Sequence, residues 1–72
     1  MIQKGYYRHY KGNYYEVIGE ATQSETEEQL VVYRQLYGLF LLWVRPKEMF
    51  LETVVVAGMR VPRFEFVRKV GE

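Results

Sequence analysis

The sequence has no cysteine, no aspartate, one histidine and one serine in 72 residues. No disulfide framework can form, and cysteine-based catalysis is excluded. A structural zinc site wants four Cys or His ligands, so one His cannot supply it. Aspartate-rich metal loops are excluded as well, because all nine acids are glutamates. No metal and no cofactor are therefore expected. Long apolar runs are also missing. The longest, Leu39 to Val44, is six residues, against the roughly 20 that span a bilayer as a helix. The opening Met1-Ile2-Gln3-Lys4-Gly5-Tyr6-Tyr7 lacks the apolar stretch of a signal peptide. A cytoplasmic location is expected, with no membrane partner.

Charge of one sign is scarce too. Ten Lys and Arg stand against nine Glu, a formal +1, which argues against a protein held on nucleic acid mainly by phosphate contacts. The distribution is less even than the total. Residues 21–33 carry Glu25, Glu27 and Glu28 and no cation, whereas Arg34, Arg45, Lys47, Arg60 and Arg63 outnumber Glu48 and Glu52 over residues 34–63. This distribution leaves room for a locally basic surface.

What the chain has in excess is aromatic rings: seven Tyr, four Phe and one Trp, 17% of residues. A short chain buries proportionally little surface. Side chains that each bury about 150–250 Å² are therefore an effective way to build its core. One domain over residues 1–72 without a linker is expected. Strand formers recur in blocks of five to seven, and no stretch sustains helical periodicity. Strands are expected over Gly5–Tyr10, Tyr14–Glu20, Leu30–Leu36, Leu39–Arg45, Leu51–Val56 and Arg63–Val67. Lys11-Gly12-Asn13 makes a hairpin loop, and Ala57 to Arg60 makes a turn. Ala21–Gln29 reads as a polar loop in which Ser24 and Glu27 have capping-box spacing for one helical turn. The fourth strand, apolar on both faces, suits a central position. Pro46 ends it and opens a 3₁₀ turn over residues 46–50. Together these predict an all-β SH3-like barrel of five to six short antiparallel strands, with an OB-like barrel as the alternative.

Several separated segments, in order, resemble one family: Gly5-Tyr6-Tyr7-Arg8-His9-Tyr10-Lys11-Gly12-Asn13-Tyr14-Tyr15, Ser24-Glu25-Thr26, Val31-Val32-Tyr33, Leu42-Trp43-Val44-Arg45-Pro46, Met49-Phe50 and Pro62-Arg63-Phe64. The sequence is similar, from about Gly5 to Phe66, to the small bacterial family called domain of unknown function 1653. In that family a histidine often precedes Ser-Glu-Thr, where this chain has Gln23. The resemblance implies a family and no activity.

The residues suggest three kinds of function. In the first, the chain is a non-catalytic binding module. Arg8, Tyr10, Lys11, Trp43, Arg45 and Arg63 would present cations beside rings to a protein segment or to a nucleotide-like or nucleic-acid anion. Alternation along the first strand puts Tyr6, Arg8 and Tyr10 on one face and Tyr7 and His9 on the other; Arg45 shares a face with Trp43. Against that reading, Arg45 or Arg63 pairs with Glu48 or Glu52 and merely closes the barrel. In the second, the chain is a small hydrolase using His9 with Glu52 or Glu28. The only serine, Ser24, has no nucleophile elbow around it and reads as a cap. In the third, the chain is an accessory structural domain of a separate catalytic partner. Met49, Phe50, Phe64 and Phe66 are expected in the core.

Overall fold

The computed structural model describes residues 1–72. Seven strands and one helical turn follow in the order β1 (Gly5–His9), β2 (Tyr14–Thr22), β3 (Gln29–Gln35), β4 (Leu42–Pro46), α1 (Lys47–Phe50), β5 (Thr53–Val56), β6 (Met59–Pro62) and β7 (Phe64–Arg68). Five of them form one antiparallel sheet in the order β4-β3-β2-β1-β7, and β5 and β6 form a separate hairpin. The fold is all-β and barrel-like, as expected. The barrel is not closed by a ladder, since β4 and β7 are the two ends of the sheet.

The turns explain where strands begin and end. His9 and Asn13 close the first hairpin by a 2.8 Å backbone bond, with Gly12 at φ +114° inside it. At the β5–β6 turn Ala57 and Gly58 both have positive φ, +50° and +78°, as a two-residue primed turn requires. That turn lets Met59–Pro62 continue as a strand, where the sequence suggested only a connection. Gly5, at φ +142°, permits a close approach: a Cβ there would lie 2.5 Å from the Arg68 carbonyl oxygen.

Four expectations are corrected. First, residues 39–41 are turn, because Gly38 and Phe40 take left-handed φ values of +57° and +54° that break an extended backbone. Second, β4 is an edge strand and not a central one. Pro46 stays in its ladder, paired with Leu30. This is consistent with alternation: the Gln35 N–H bonds the Leu41 carbonyl, so Trp43 and Arg45 face β3 while Leu42, Val44 and Pro46 direct their backbone groups outward. A proline costs nothing in the ladder at an outward position. Third, residues 47–50 form an α turn rather than a 3₁₀ turn, with the Leu51 N–H bonding the Lys47 carbonyl at 3.0 Å. Fourth, the polar loop is a tight turn between β2 and β3 with Glu27 at φ +63°. The Gln23 side chain, not Ser24, caps it by accepting the Glu25 N–H at 2.6 Å.

The core lies on one face of the sheet and consists of Tyr7, Val17, Val31, Tyr33, Phe50 and Phe64. Four of the six are aromatic, which is where much of the ring excess goes. α1 brings Phe50 over the sheet, stacked on Phe64 at 4.1 Å with near-parallel planes and edge-on to Tyr7 at 5.4 Å. Met49, one position earlier, points away and is exposed, so the Met-Phe pair divides between solvent and core. Glu20 is held by the Ile2 N–H and by Lys47 at 3.2 Å. The Ile2 bond, then the Lys47 partner, keeps its carboxyl below the usual range.

Candidate functional site

Alternation along β1 to β4 sets Tyr7 and His9, Tyr15 and Val17, Val31 and Tyr33, and Trp43 and Arg45 on the core face of the sheet. At the end of that face near β4 the core opens into a hollow of about 190 Å³, lined by Tyr15, Tyr33, Tyr37, Trp43 and Arg45. His9 and Phe64 stand beside it, each with its ring within 7 Å of Tyr15, at 6.4 and 5.6 Å.

Arg45 is the centre of the arrangement. Its Nε donates to the Tyr33 hydroxyl at 3.4 Å, and its guanidinium lies 5.6 Å from the centroid of the Phe64 ring. Tyr33 and Phe64 are core residues, so the charge rests on a rigid aromatic support. No carboxylate lies within salt-bridge distance of it. Arg63 is different. It has the expected partner, Glu52, but at 3.8 Å and through Nη2 only, and its buried Nε has no hydrogen-bond partner. Its backbone is fixed from both sides, by Glu52 and by Tyr10, with bonds of 2.9 Å.

His9 reports the field of these cations. Its Nδ1 accepts the Lys11 N–H at 3.1 Å, and its ring packs edge-on to Phe64 at 4.8 Å and against Tyr10 at 4.6 Å. Burial lowers its pKa from the usual imidazole value, and the charges of Arg45, Arg63 and Lys11 lower it further. The hollow also carries hydroxyls. Tyr15 and Tyr37 share a 2.7 Å bond. Tyr15 is pushed up to about 12, chiefly by burial, whereas Tyr37 is held below the usual phenol value by its bond to Tyr15 and by Gln35.

The residues suggested by the sequence therefore divide between two places. Trp43 and Arg45 line the hollow, and Arg63 lies close enough to act on the same histidine. Arg8 is on the opposite face, in a groove of about 260 Å³ with Tyr10, Val56, Val61, Pro62 and Glu65. Tyr10 also packs on His9, and Lys11 lies over the Tyr10 ring at 5.8 Å. The three arginines are not one cluster. His9 has no carboxylate in hydrogen-bond reach, and its Nδ1 is taken by a backbone amide. The His-Glu arrangement a hydrolase would need is absent, and no three His or Glu side chains are grouped to hold a metal ion. Tyr15, Tyr33 and Tyr37 were not singled out from the sequence. The available signal was their phase: Tyr15 and Tyr33 alternate with core valines, so they had to lie on the same face as Trp43 and Arg45.

A model of the family described as Protein of unknown function (DUF1653) matches residues 5–66. The chain belongs to that family. A crystal structure of a DUF1653 protein from Bordetella bronchiseptica is similar throughout, with 39% identity and a TM-score of 0.86 over 99% of this chain and 94% of that one. Among curated proteins none matches. No helix of this DUF1653 chain is long and apolar enough to cross a membrane.

The His9 environment has a consequence for stability. A histidine whose folded pKa lies below its unfolded value of about 6.5 favours the unfolded chain once protons bind. Stability is therefore insensitive to this group above about pH 6.5. It falls as pH drops through that value, and the loss levels off below the folded pKa. Denaturant midpoints at pH 7.5, 6.5 and 5.5 should decline in the wild type and stay flat for His9→Gln. Glu20, with a lowered pKa, adds its own loss only at more acidic pH.

Proposed function

We propose that this DUF1653 chain is a non-catalytic binding module, acting as one unit over residues 1–72 in the bacterial cytoplasm. Its hollow holds a small anion of the nucleotide kind. The observation that carries this reading is Arg45: a guanidinium supported by Phe64 and Tyr33, open to the hollow and without a carboxylate partner. Ion pairs normally neutralise a half-buried arginine, so an unpaired one calls for an external acceptor. The other groups fit that demand. Tyr33 uses a lone pair to accept from Arg45, which leaves its proton to donate, and the Trp43 indole N–H is a donor only. Trp43 stands half-exposed at the rim, where a flat ring can stack on it.

Size narrows the ligand. Pockets for drug-sized molecules run to roughly 300–1,000 Å³, so about 190 Å³ takes one anionic group with part of a ring. The remainder of a nucleotide would lie outside, over Trp43. The test is an NMR titration with inorganic phosphate and with nucleoside monophosphates. The Trp43 Nε1, Arg45 Nε and His9 ring signals should move together, more strongly for the nucleotides than for phosphate. If neither ligand moves them and an acidic peptide does, the partner is a protein segment. Shifts confined to Arg8 and Tyr10 would assign the ligand to the other face and overturn the reading.

A further inference from the structure

β4 is an edge strand with its outward N–H and C=O groups unpaired, and it forms one unusually apolar stretch with the turn residues 39–41 that precede it. Leu39, Phe40, Leu41, Leu42, Trp43 and Val44 are all exposed, Leu39 by 82% and the others by about half. Natural edge strands are blunted by lysine, proline or a bulge. Here the first charge is Arg45 and the first proline Pro46, both at the far end of the strand. The two rings among them, half-exposed at roughly 150–250 Å² each, and the four aliphatic side chains beside them make a patch on the order of 600 Å². A monomer's largest patch is typically about 300–600 Å², and a standard interface takes about 800 Å² from each partner. The exposed backbone edge of β4 adjoins this patch and adds to its area.

We propose that β4 pairs with β4 of a second copy of this chain, antiparallel, about a two-fold axis through Trp43. The register follows from the ladder. Leu42 and Val44 are the outward positions with both a donor and an acceptor, so Leu42 of one chain meets Val44 of the other as a hydrogen-bonded pair. Trp43 then meets Trp43 as the closer, non-hydrogen-bonded pair, with Cα atoms about 4.5 Å apart. The pairing is self-complementary in the way a two-fold interface requires. It places no like charges opposite each other, because the pairing positions 42–44 are uncharged. Pro46, lacking an N–H, stops the pairing at one end, and the turn at Phe40 stops it at the other. Each partner's Trp43 becomes an added wall of the neighbouring hollow.

The test is sedimentation equilibrium of the full chain across a roughly hundredfold concentration range, with Trp43 emission followed in parallel. The wild type should reach twice 8.7 kDa, with a blue shift of Trp43, the only tryptophan. Val44→Pro removes one outward N–H from the edge and no bond to β3, and should remain monomeric without the shift. Val44→Lys, a gatekeeper at the same position, should do the same and decides the matter if the proline variant does not fold. A wild type at monomer mass throughout overturns the proposal. So does a dimer that both variants retain, or one that leaves the Trp43 emission unchanged.

Discussion

Phe50→Ala is expected to unfold this protein in ordinary buffer or leave it close to the transition. The side chain is 1% exposed, stacks on Phe64 and contacts Tyr7 and Tyr33. Deleting a buried phenylalanine typically costs about 3–5 kcal/mol, because the transfer term is joined by the cavity left behind. A 72-residue domain has a total stability of only roughly 4–11 kcal/mol on the usual per-residue scale. No disulfide compensates. The cavity cannot close easily, since α1 is a single turn that must keep covering the sheet. Urea melts followed by circular dichroism should show, for Phe50→Ala, a midpoint far below the wild type's or no folded baseline at all. Phe50→Leu should retain a cooperative transition at a lower midpoint. Leu51→Ala, at an exposed neighbouring position, should change little, about 0.5 kcal/mol or less.

Arg45→Ala should have the largest effect on binding while sparing the fold. Hydrogen bonds to charged groups are worth about 1.5–3 kcal/mol each, and a guanidinium can offer two to one anion. A loss of about 3 kcal/mol, roughly a hundredfold in affinity, is expected in the nucleotide titration. Arg45→Lys should recover little of it. Lysine cannot make the planar two-point contact, and it loses the guanidinium's interaction with the Phe64 ring. Denaturant midpoints for both variants should stay near the wild type, because Arg45 has no carboxylate whose charge would be stranded. A large drop in stability with affinity unchanged would make Arg45 a structural residue.

Much of this architecture was legible from alternation. Tyr7 with His9, Tyr15 with Val17, and Trp43 with Arg45 share faces because side chains alternate strictly along a strand. The Glu52 partner of Arg63 was also foreseeable, as two residues beside the same hairpin. The run Leu39 to Val44 departs from the central position its sequence suggests for a physical reason. An apolar stretch signals burial only if something covers it, and periodicity carries no information about which strand lies alongside. The positive φ of Phe40 was equally hidden, since nothing in a phenylalanine announces it. Pro46 looked like a terminator because a central ladder would reject it, whereas an outward edge position does not. The hollow itself was half visible: its arginine and tryptophan stood out, but its tyrosines were indistinguishable from core until Phe64 and Arg45 were seen against them. Arg8 shows the converse, a cation among rings in sequence that the pleat turns to the other face.

The proposed anion site is built around Arg45, and His9 offers the most direct measurement of it. Burial depresses its pKa most, and Arg45 and Arg63 depress it further, so an anion bound at Arg45 should neutralise part of the cationic field. Following the His9 ring by NMR from pH 4.5 to 8, with and without a saturating nucleoside monophosphate, should show its pKa rise toward the ordinary imidazole value of about 6.5 when the ligand is present. By reciprocity, the nucleotide should bind more tightly as pH falls through that range. The rise should vanish in Arg45→Ala. An unchanged His9 titration in the presence of every phosphate ligand tried would contradict the account.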